Sequence, residues 1–368
     1  MSHEPRNASS ANYSWILVCL FVLATLSGVA YSQALSTLRL KPSEATGGTN
    51  LYSRNFGWSS SLVGLSGRSG LDAGFGISYN SLVWIKAAST SEIIYNPDTS
   101  NVGPGFKFGF STIEYPYYDS TNSRYAFMMV GADGSRTEFR QIGTSMTFEA
   151  GDSSYRRLKV QDGAQLDGKA VNIDITLFST DGTQMHYVWK SGFYRLHEIK
   201  DRNGNYVEME YSTTGGRLTK VIDTLGREIN IAYDTGGYPT TITQTWKDGN
   251  GGGSTNVTHT WASFSYTNVT VSTNFSGLTV VGPANNTTVK VLDKITYADA
   301  SSTKFEYNGY VQVKKITNIA ADTTTNLNYV ETNLADVTGS QTDVPRLTET
   351  RSWAKDSNIV AGPKTPTS

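Results

Sequence analysis

Residues able to do chemistry are sparse in this 368-residue chain, and their spacing is unhelpful to most chemistries. Beyond the N-terminal apolar run stand three histidines, His186, His197 and His259, none with a second histidine at ligand spacing. Nothing therefore points to a zinc site, which draws several His, Cys or carboxylate ligands together. Asp201-Arg202-Asn203-Gly204-Asn205 has oxygen-bearing residues at alternate positions, as a calcium loop does. The loop's sixth position, however, is Tyr206 instead of glycine, and its twelfth is Ser212 instead of a carboxylate. That text reads as a turn. Asp248-Gly249-Asn250 with the following glycines has one carboxylate and no downstream acid, and reads as a loop.

Nucleophilic and phosphate-binding patterns fail in the same way. Gly64-Leu65-Ser66-Gly67 lacks the spacing and strand-turn-helix setting of a nucleophile elbow. Gly103-Pro104-Gly105 with Gly109 lies outside any βαβ pattern, so it is no dinucleotide fingerprint. With 32 acids in the chain, nothing nominates a particular pair for acid–base work. No catalytic, metal or cofactor-binding residue is assigned, and no enzyme activity is expected.

Aromatic residues are the one surplus. Trp58, Trp84, Trp189, Trp246, Trp261 and Trp353 could stack on sugar faces, but aromatics also fill β cores and pair across strands. Tyr115, Tyr117 and Tyr118 are the best candidates for ligand contact, because the run Tyr115-Pro116-Tyr117-Tyr118 cannot turn every ring toward one core. Carbohydrate or cell-surface glycans would be the corresponding partners. The Asn-x-Ser/Thr sequons at Asn256, Asn268, Asn274, Asn285 and Asn286 matter only in a glycosylating host.

The elements that must carry these residues follow from composition and period. A net charge of −1 provides no basic field for nucleic acid and no polybasic membrane patch. The 35 glycines and 21 tyrosines favour strands and turns. Ile16–Val29 is the only long apolar run. It is short for a membrane span and fits the apolar core of a secretory signal, with cleavage after Ala30 or Ala34, or an uncleaved anchor. The single cysteine, Cys19, lies inside it, so the mature chain would hold no disulfide.

A repeat organises the centre. LHEIKDRNGNYVEMEYSTTGGR is followed by LTKVIDTLGREINIAYDTGGYP. Leu196 and Leu218, Asp201 and Asp223, Gly204 and Gly226, Tyr211 and Tyr233, and Gly215 and Gly237 are each separated by one fixed offset. Val207, Met209 and Tyr211 share a face, as do Ile229, Ile231 and Tyr233, so hairpins stacked in this order would bury a continuous core. Upstream, Asp133-Gly134 and Asp181-Gly182 sit between alternating runs and predict hairpins. Leu71, Ala73, Phe75, Ile77 and Tyr79 predict a strand, and Ala150–Lys169 an edge loop. No third clean copy follows, although Tyr307 and Tyr329 repeat the offset.

The expected fold is all-β: stacked antiparallel hairpins forming a spiralling sheet or partial shell after an N-terminal signal-like helix. Its expected parts are 1–34 signal peptide or anchor, 35–49 linker, 50–190 β region preceding the repeats and 191–246 two clean repeats. They continue with 247–290 flexible insertion and Thr/Asn-rich strands, 291–335 degenerate repeats and 336–368 polar tail.

The paired copies, with their Asp-x-x-Gly turns, Gly-Arg-Leu-Thr lead-in and Tyr233-Asp234 pair, resemble tandem YD repeats of the RHS and teneurin-like proteins. LSGRSGLDAGFGISYNSLVW, GADGSRTEF and FSTDGTQMHYVW also resemble the region preceding the repeats in bacterial members. The resemblance implies a secreted or cell-surface structural protein, a scaffold or shell wall. It further implies a place in a larger toxin-delivery or adhesion protein, whose partners are further YD repeats or an enclosed C-terminal domain. The alternative expectation is a carbohydrate- or cell-surface-binding β module using the exposed aromatics.

Overall fold

The computed structural model describes residues 46–50, 55–87, 91–95, 102–167, 173–248, 255–321, 326–334 and 339–353. The signal-like segment, Trp353's side chain and most of the expected tail lie outside the described residues. Among the described residues, apart from one short 3-10 turn at Arg68–Gly70, every regular element is a β-strand, so the expectation of an all-β fold of stacked antiparallel hairpins holds.

Eight strands close into a ring: Thr112–Ile113, Arg124–Val130, Arg136–Gln141, Thr147–Ala150, Arg157–Val160, Ile175–Phe178, Gln184–Lys190 and Phe193–Lys200. Each pairs antiparallel with the next, and Thr112–Ile113 closes the circuit by bonding to both Arg124–Val130 and Phe193–Lys200. Side chains alternate across each strand, so one set fills the ring: Phe127, Phe139, Phe148, Leu158, Ile175, Leu177 and Tyr187 are fully buried. Arg157–Val160 lies inside the stretch expected to be an edge loop. Leu158 and Val160 point into the core, and the strand pairs on both sides. Two apolar residues among polar ones were too short a signal for the strand.

Phe193–Lys200 is where the ring gives way to an open sheet. Tyr194 and Arg195 pair with the closing strand, whereas Glu198–Lys200 pair with Tyr206–Tyr211. From there the sheet continues through Leu218–Asp223, Glu228–Tyr233, Pro239–Asp248, Thr255–Thr270, Thr288–Tyr297, Ser302–Tyr307, Val313–Ile319 and Asn326–Leu334 to Leu347–Trp353. This last strand falls within 336–368.

The inner face of the open sheet is covered by a separate four-stranded sheet, Thr46–Asn50, Asn55–Leu65, Ala73–Asn80 and Phe106–Gly109. Trp58 and Phe106 both pack edge-on against Phe305, at centroid distances of 5.0 and 5.1 Å. Phe108 meets Phe264 at 6.1 Å. Tyr79, wholly buried, accepts the Val313 N–H on its hydroxyl at 2.9 Å. Gly105 is required beside it: its φ is +77°, and a Cβ there would lie 2.5 Å from the Asn80 carbonyl. A three-stranded sheet of Trp84–Lys86, Glu92–Tyr95 and Thr279–Val281 builds a satellite core around Trp84, Ile93, Tyr310 and Val344.

Candidate functional site

The recurrent aspartates, turn glycines and tyrosines of the repeat have structural roles. Asp201 accepts N–H bonds from Asn203 and Asn205 on one oxygen and bonds from both their amide side chains on the other. Led by the Asn205 side chain, these donors hold its carboxyl below the usual range. With its lone pairs so engaged, the carboxylate is the anchor of a turn and has no capacity left for calcium. Asp223 repeats the motif, accepting from the Leu225 and Arg227 N–H groups and pairing with the Arg227 guanidinium. Gly204 and Gly226 take φ of +84° and +71° at the left-handed position of these turns.

The repeated tyrosines hold together strands that part. In the hairpins of Phe193–Tyr211, Leu218–Tyr233 and Thr288–Tyr307 the ladder is three residues long beside the turn. Beyond it the strands separate, and the second strand's tyrosine hydroxyl donates across the gap to the first strand's carbonyl. The bonds are Tyr211 to Leu196 at 2.7 Å, Tyr233 to Leu218 at 2.6 Å and Tyr307 to Leu292 at 2.6 Å, each 15 residues back. A fourth clasp runs from Tyr266 to the Pro239 carbonyl at 3.0 Å, 27 residues back. This third hairpin is the missing repeat copy. An extension of 12 residues at its turn, 27 against 15, breaks the fixed offset of the other copies. Burial raises the pKa of all four tyrosines, keeping each hydroxyl a donor.

Of the three tyrosines singled out in the sequence, all are exposed: Tyr115 by 38%, Tyr117 by 40% and Tyr118 by 54%. They do not form one platform. Tyr115 packs on Trp189 at 4.3 Å, Tyr118 meets Tyr125 edge-on at 5.1 Å, and the Tyr117 hydroxyl donates to Glu138. Desolvation, then Glu138, pushes the Tyr117 phenol up to about 12. Adjacent strand residues Tyr117 and Tyr118 point to opposite faces, which is why no common stacking plane arises.

His186 and His197, on the paired strands Gln184–Lys190 and Phe193–Lys200, come together with rings 6.1 Å apart. His197 Nδ1–H donates to the Met209 carbonyl at 3.0 Å, adding a second bridge where the strands part, while Nε2 lies 3.7 Å from Glu208. His186 Nε2 stands 3.5 Å from Asp174. A cleft of about 530 Å3 opens here, lined by Asp174, Trp189, Lys190, His197, Glu210 and Tyr211 among others. Its rings are engaged: Trp189 lies between Tyr115 and Tyr194, and Arg195 covers Tyr211. Among the described residues no group of three or more His, Cys, Asp or Glu could hold a metal ion. Also among the described residues, no helix is long and apolar enough to cross a membrane.

These features define a β-hairpin-repeat protein whose recurrent residues hold its walls. No protein-family model matches the chain, and no curated protein does. Among solved structures it is similar to the TcdB2-TccC3-TEV crystal structure, with 12% identity over 80% of this chain and a TM-score of 0.36. It is likewise similar to TcdB2-TccC3 without its hypervariable C-terminal region, with 12% identity over 81% of this chain and a TM-score of 0.34. The Tc holotoxin pore of Photorhabdus luminescens matches over 84% at 12% identity, with a TM-score of 0.29. The chain spans 15–16% of the length of those chains.

Proposed function

We propose that the chain is a structural wall segment of the RHS/YD-repeat type, acting as scaffold in a larger secreted or cell-surface protein concerned with toxin delivery or adhesion. The observation that supports this reading is the clasp itself. The residues that recur with the repeat, Leu196 and Tyr211, Leu218 and Tyr233, with their Asp turns, are all engaged in holding hairpins together. A repeat kept within one chain for its hydrogen bonds and core face serves assembly of a sheet that can be extended hairpin by hairpin. Secretion rests on the apolar run Ile16–Val29, and the family reading on the paired sequence copies.

The size of the natural polypeptide tests this. An antibody against Leu196–Thr243 should detect in the source cells a product well above the 40.1 kDa of this chain, with further YD repeats in its peptide map. A product of this size alone would remove the larger-wall reading. The second reading is a glycan-binding module, favoured by the exposure of Tyr115, Tyr117 and Tyr118. A glycan array separates the two: binding abolished by Tyr118→Ala supports the module, and no binding to any glycan counts against it.

A further inference from the structure

The third hairpin carries something its three counterparts lack. Its neighbours end at a common rim: Glu228–Tyr233 pairs with Pro239–Asp248 only as far as Gln244, and Thr288–Tyr297 pairs with Thr255–Thr270 only from Ala262 onward. Past those points Thr245–Asp248 and Thr255–Thr258 continue as a two-stranded arm, bonded to each other and to no third strand among the described residues, and the outer edge is open as far as Thr260. At strand rise these four residue pairs reach about 13 Å beyond the rim. Three clasped hairpins fold without such an extension, so the fold itself does not require it.

The arm is built for pairing. Asn256, Thr258 and Thr260 are exposed, and Asn256–Thr260 includes no lysine, glutamate, aspartate or proline, the residues that normally blunt an edge. Thr, Val and aromatic residues make it strong in β propensity. On the other face Trp246, 45% exposed, lies 6.3 Å from His259, which stands edge-on to Trp261 at 4.7 Å. The Trp261 indole N–H, although buried, has no acceptor among the described residues. Two strands alone are marginal in water, and one more neighbour is what the arm's ladder lacks.

We propose that the outer edge Asn256–Thr260 pairs antiparallel with the same edge of a second copy of this chain, about a two-fold axis near Thr258. The incoming strand takes the lane vacated where Thr288–Tyr297 stops, so the new ladder continues the one already formed at Ala262–Thr270. An antiparallel pair of identical strands is two-fold symmetric, and this edge carries no charge to oppose its own copy. The four-stranded sheet that results presents Trp246, His259 and Trp261 of both copies on one face. So short an edge makes a small interface, and the dimer is therefore a weak one that forms at high concentration.

Sedimentation equilibrium of the full chain, from low micromolar to near millimolar, tests this together with two charge variants. Thr258 is exposed and faces Thr245 across the arm, so Thr258→Lys and Thr258→Glu leave the hairpin in place, which far-UV circular dichroism checks. The chain should dimerise reversibly, and each variant alone should associate about tenfold more weakly, because like charges then meet at the axis. An equal mixture of the two variants should recover association, since the lysine introduced in one would oppose the glutamate introduced in the other only in this register. A monomer at every concentration, a dimer indifferent to either substitution, or a mixture no stronger than its components would each overturn the proposal.

Discussion

The ring and the open sheet solve one problem differently. In the ring every strand has a neighbour on both sides, and the interior is filled by the ring's own aromatics, Phe127 against Phe148 at 4.9 Å for example. Among the described residues the open sheet has no such closure. It borrows an inner layer from the four-stranded sheet near the start of the described chain, and its parting hairpins are held by tyrosine clasps. Closure makes a region self-sufficient, whereas repetition makes one extensible but dependent on something to cover it.

The largest expected effect breaks that dependence. Phe305, 1% exposed, is gripped by Trp58 and Phe106, and Phe305→Ala should cost about 3–5 kcal/mol. Hydrogen exchange should then show lost protection across the open sheet while the ring strands keep theirs. Next comes the turn of the second repeat. Asp223→Ala removes two turn bonds and leaves a partly exposed Arg227 with the Ser66 carbonyl but without its carboxylate, which should cost about 2–3 kcal/mol by urea denaturation. Removing one clasp is smaller again. Tyr307→Phe leaves the Leu292 carbonyl without its donor and should cost about 1–2 kcal/mol. In the ring turn of matching geometry Ser179 stands where Asp223 does, and the turn's carboxylate, Asp181, is exposed and bonded to Thr183, so that Asp181→Ala breaks no buried contact. Its urea midpoint should fall by less than that of either repeat variant.

Much of this was legible in the sequence, for local reasons. Asp-Gly pairs determine turns by backbone conformation alone, and the alternation around Val207 and Met209 shows which face is buried. The spacing of Leu and Tyr within each copy was visible too. Its meaning was not, since a hydroxyl reaching a carbonyl across parted strands depends on how far the strands part. The third copy was hidden because the arm lengthens it, although Pro239 and Tyr266 take the same roles. Ring closure rests on Thr112–Ile113, two residues with no periodicity to detect. The covering sheet was partly readable as Ala73–Asn80, but where it packs depends on partners more than 200 residues away, such as Val313 for Tyr79. For Tyr115, Tyr117 and Tyr118 exposure was readable, while their separate partners Trp189, Glu138 and Tyr125 were matters of tertiary geometry.

Acid should sharpen the comparison more gently. Turn carboxylates in both regions are held below the ordinary aspartate value of 3.8: Asp152 in the ring at about 2, by Ser154 and then Arg156, and Asp201 and Asp234 in the repeats. A depressed folded pKa stabilises above the unfolded value and is lost as pH falls through the folded one. The melting temperature should therefore hold down to about pH 4 and drop between there and pH 2 in both regions. The smallest effect runs the other way. Ala300 occupies the left-handed turn position, φ +65°, that Gly204 and Gly226 fill in the cleaner repeats. Ala300→Gly should stabilise by about 0.5–1 kcal/mol.

That the recurring residues hold the wall together is tested most directly by native-state hydrogen exchange of Tyr233→Phe beside the unaltered chain. Amides of Leu218–Asp223, Glu228–Tyr233 and the hairpin beyond them should exchange faster, with Phe127, Phe139 and Phe148 in the ring unchanged. Unaltered exchange in those hairpins, or an equal loss in the ring, would contradict the clasp as the element that holds the open sheet.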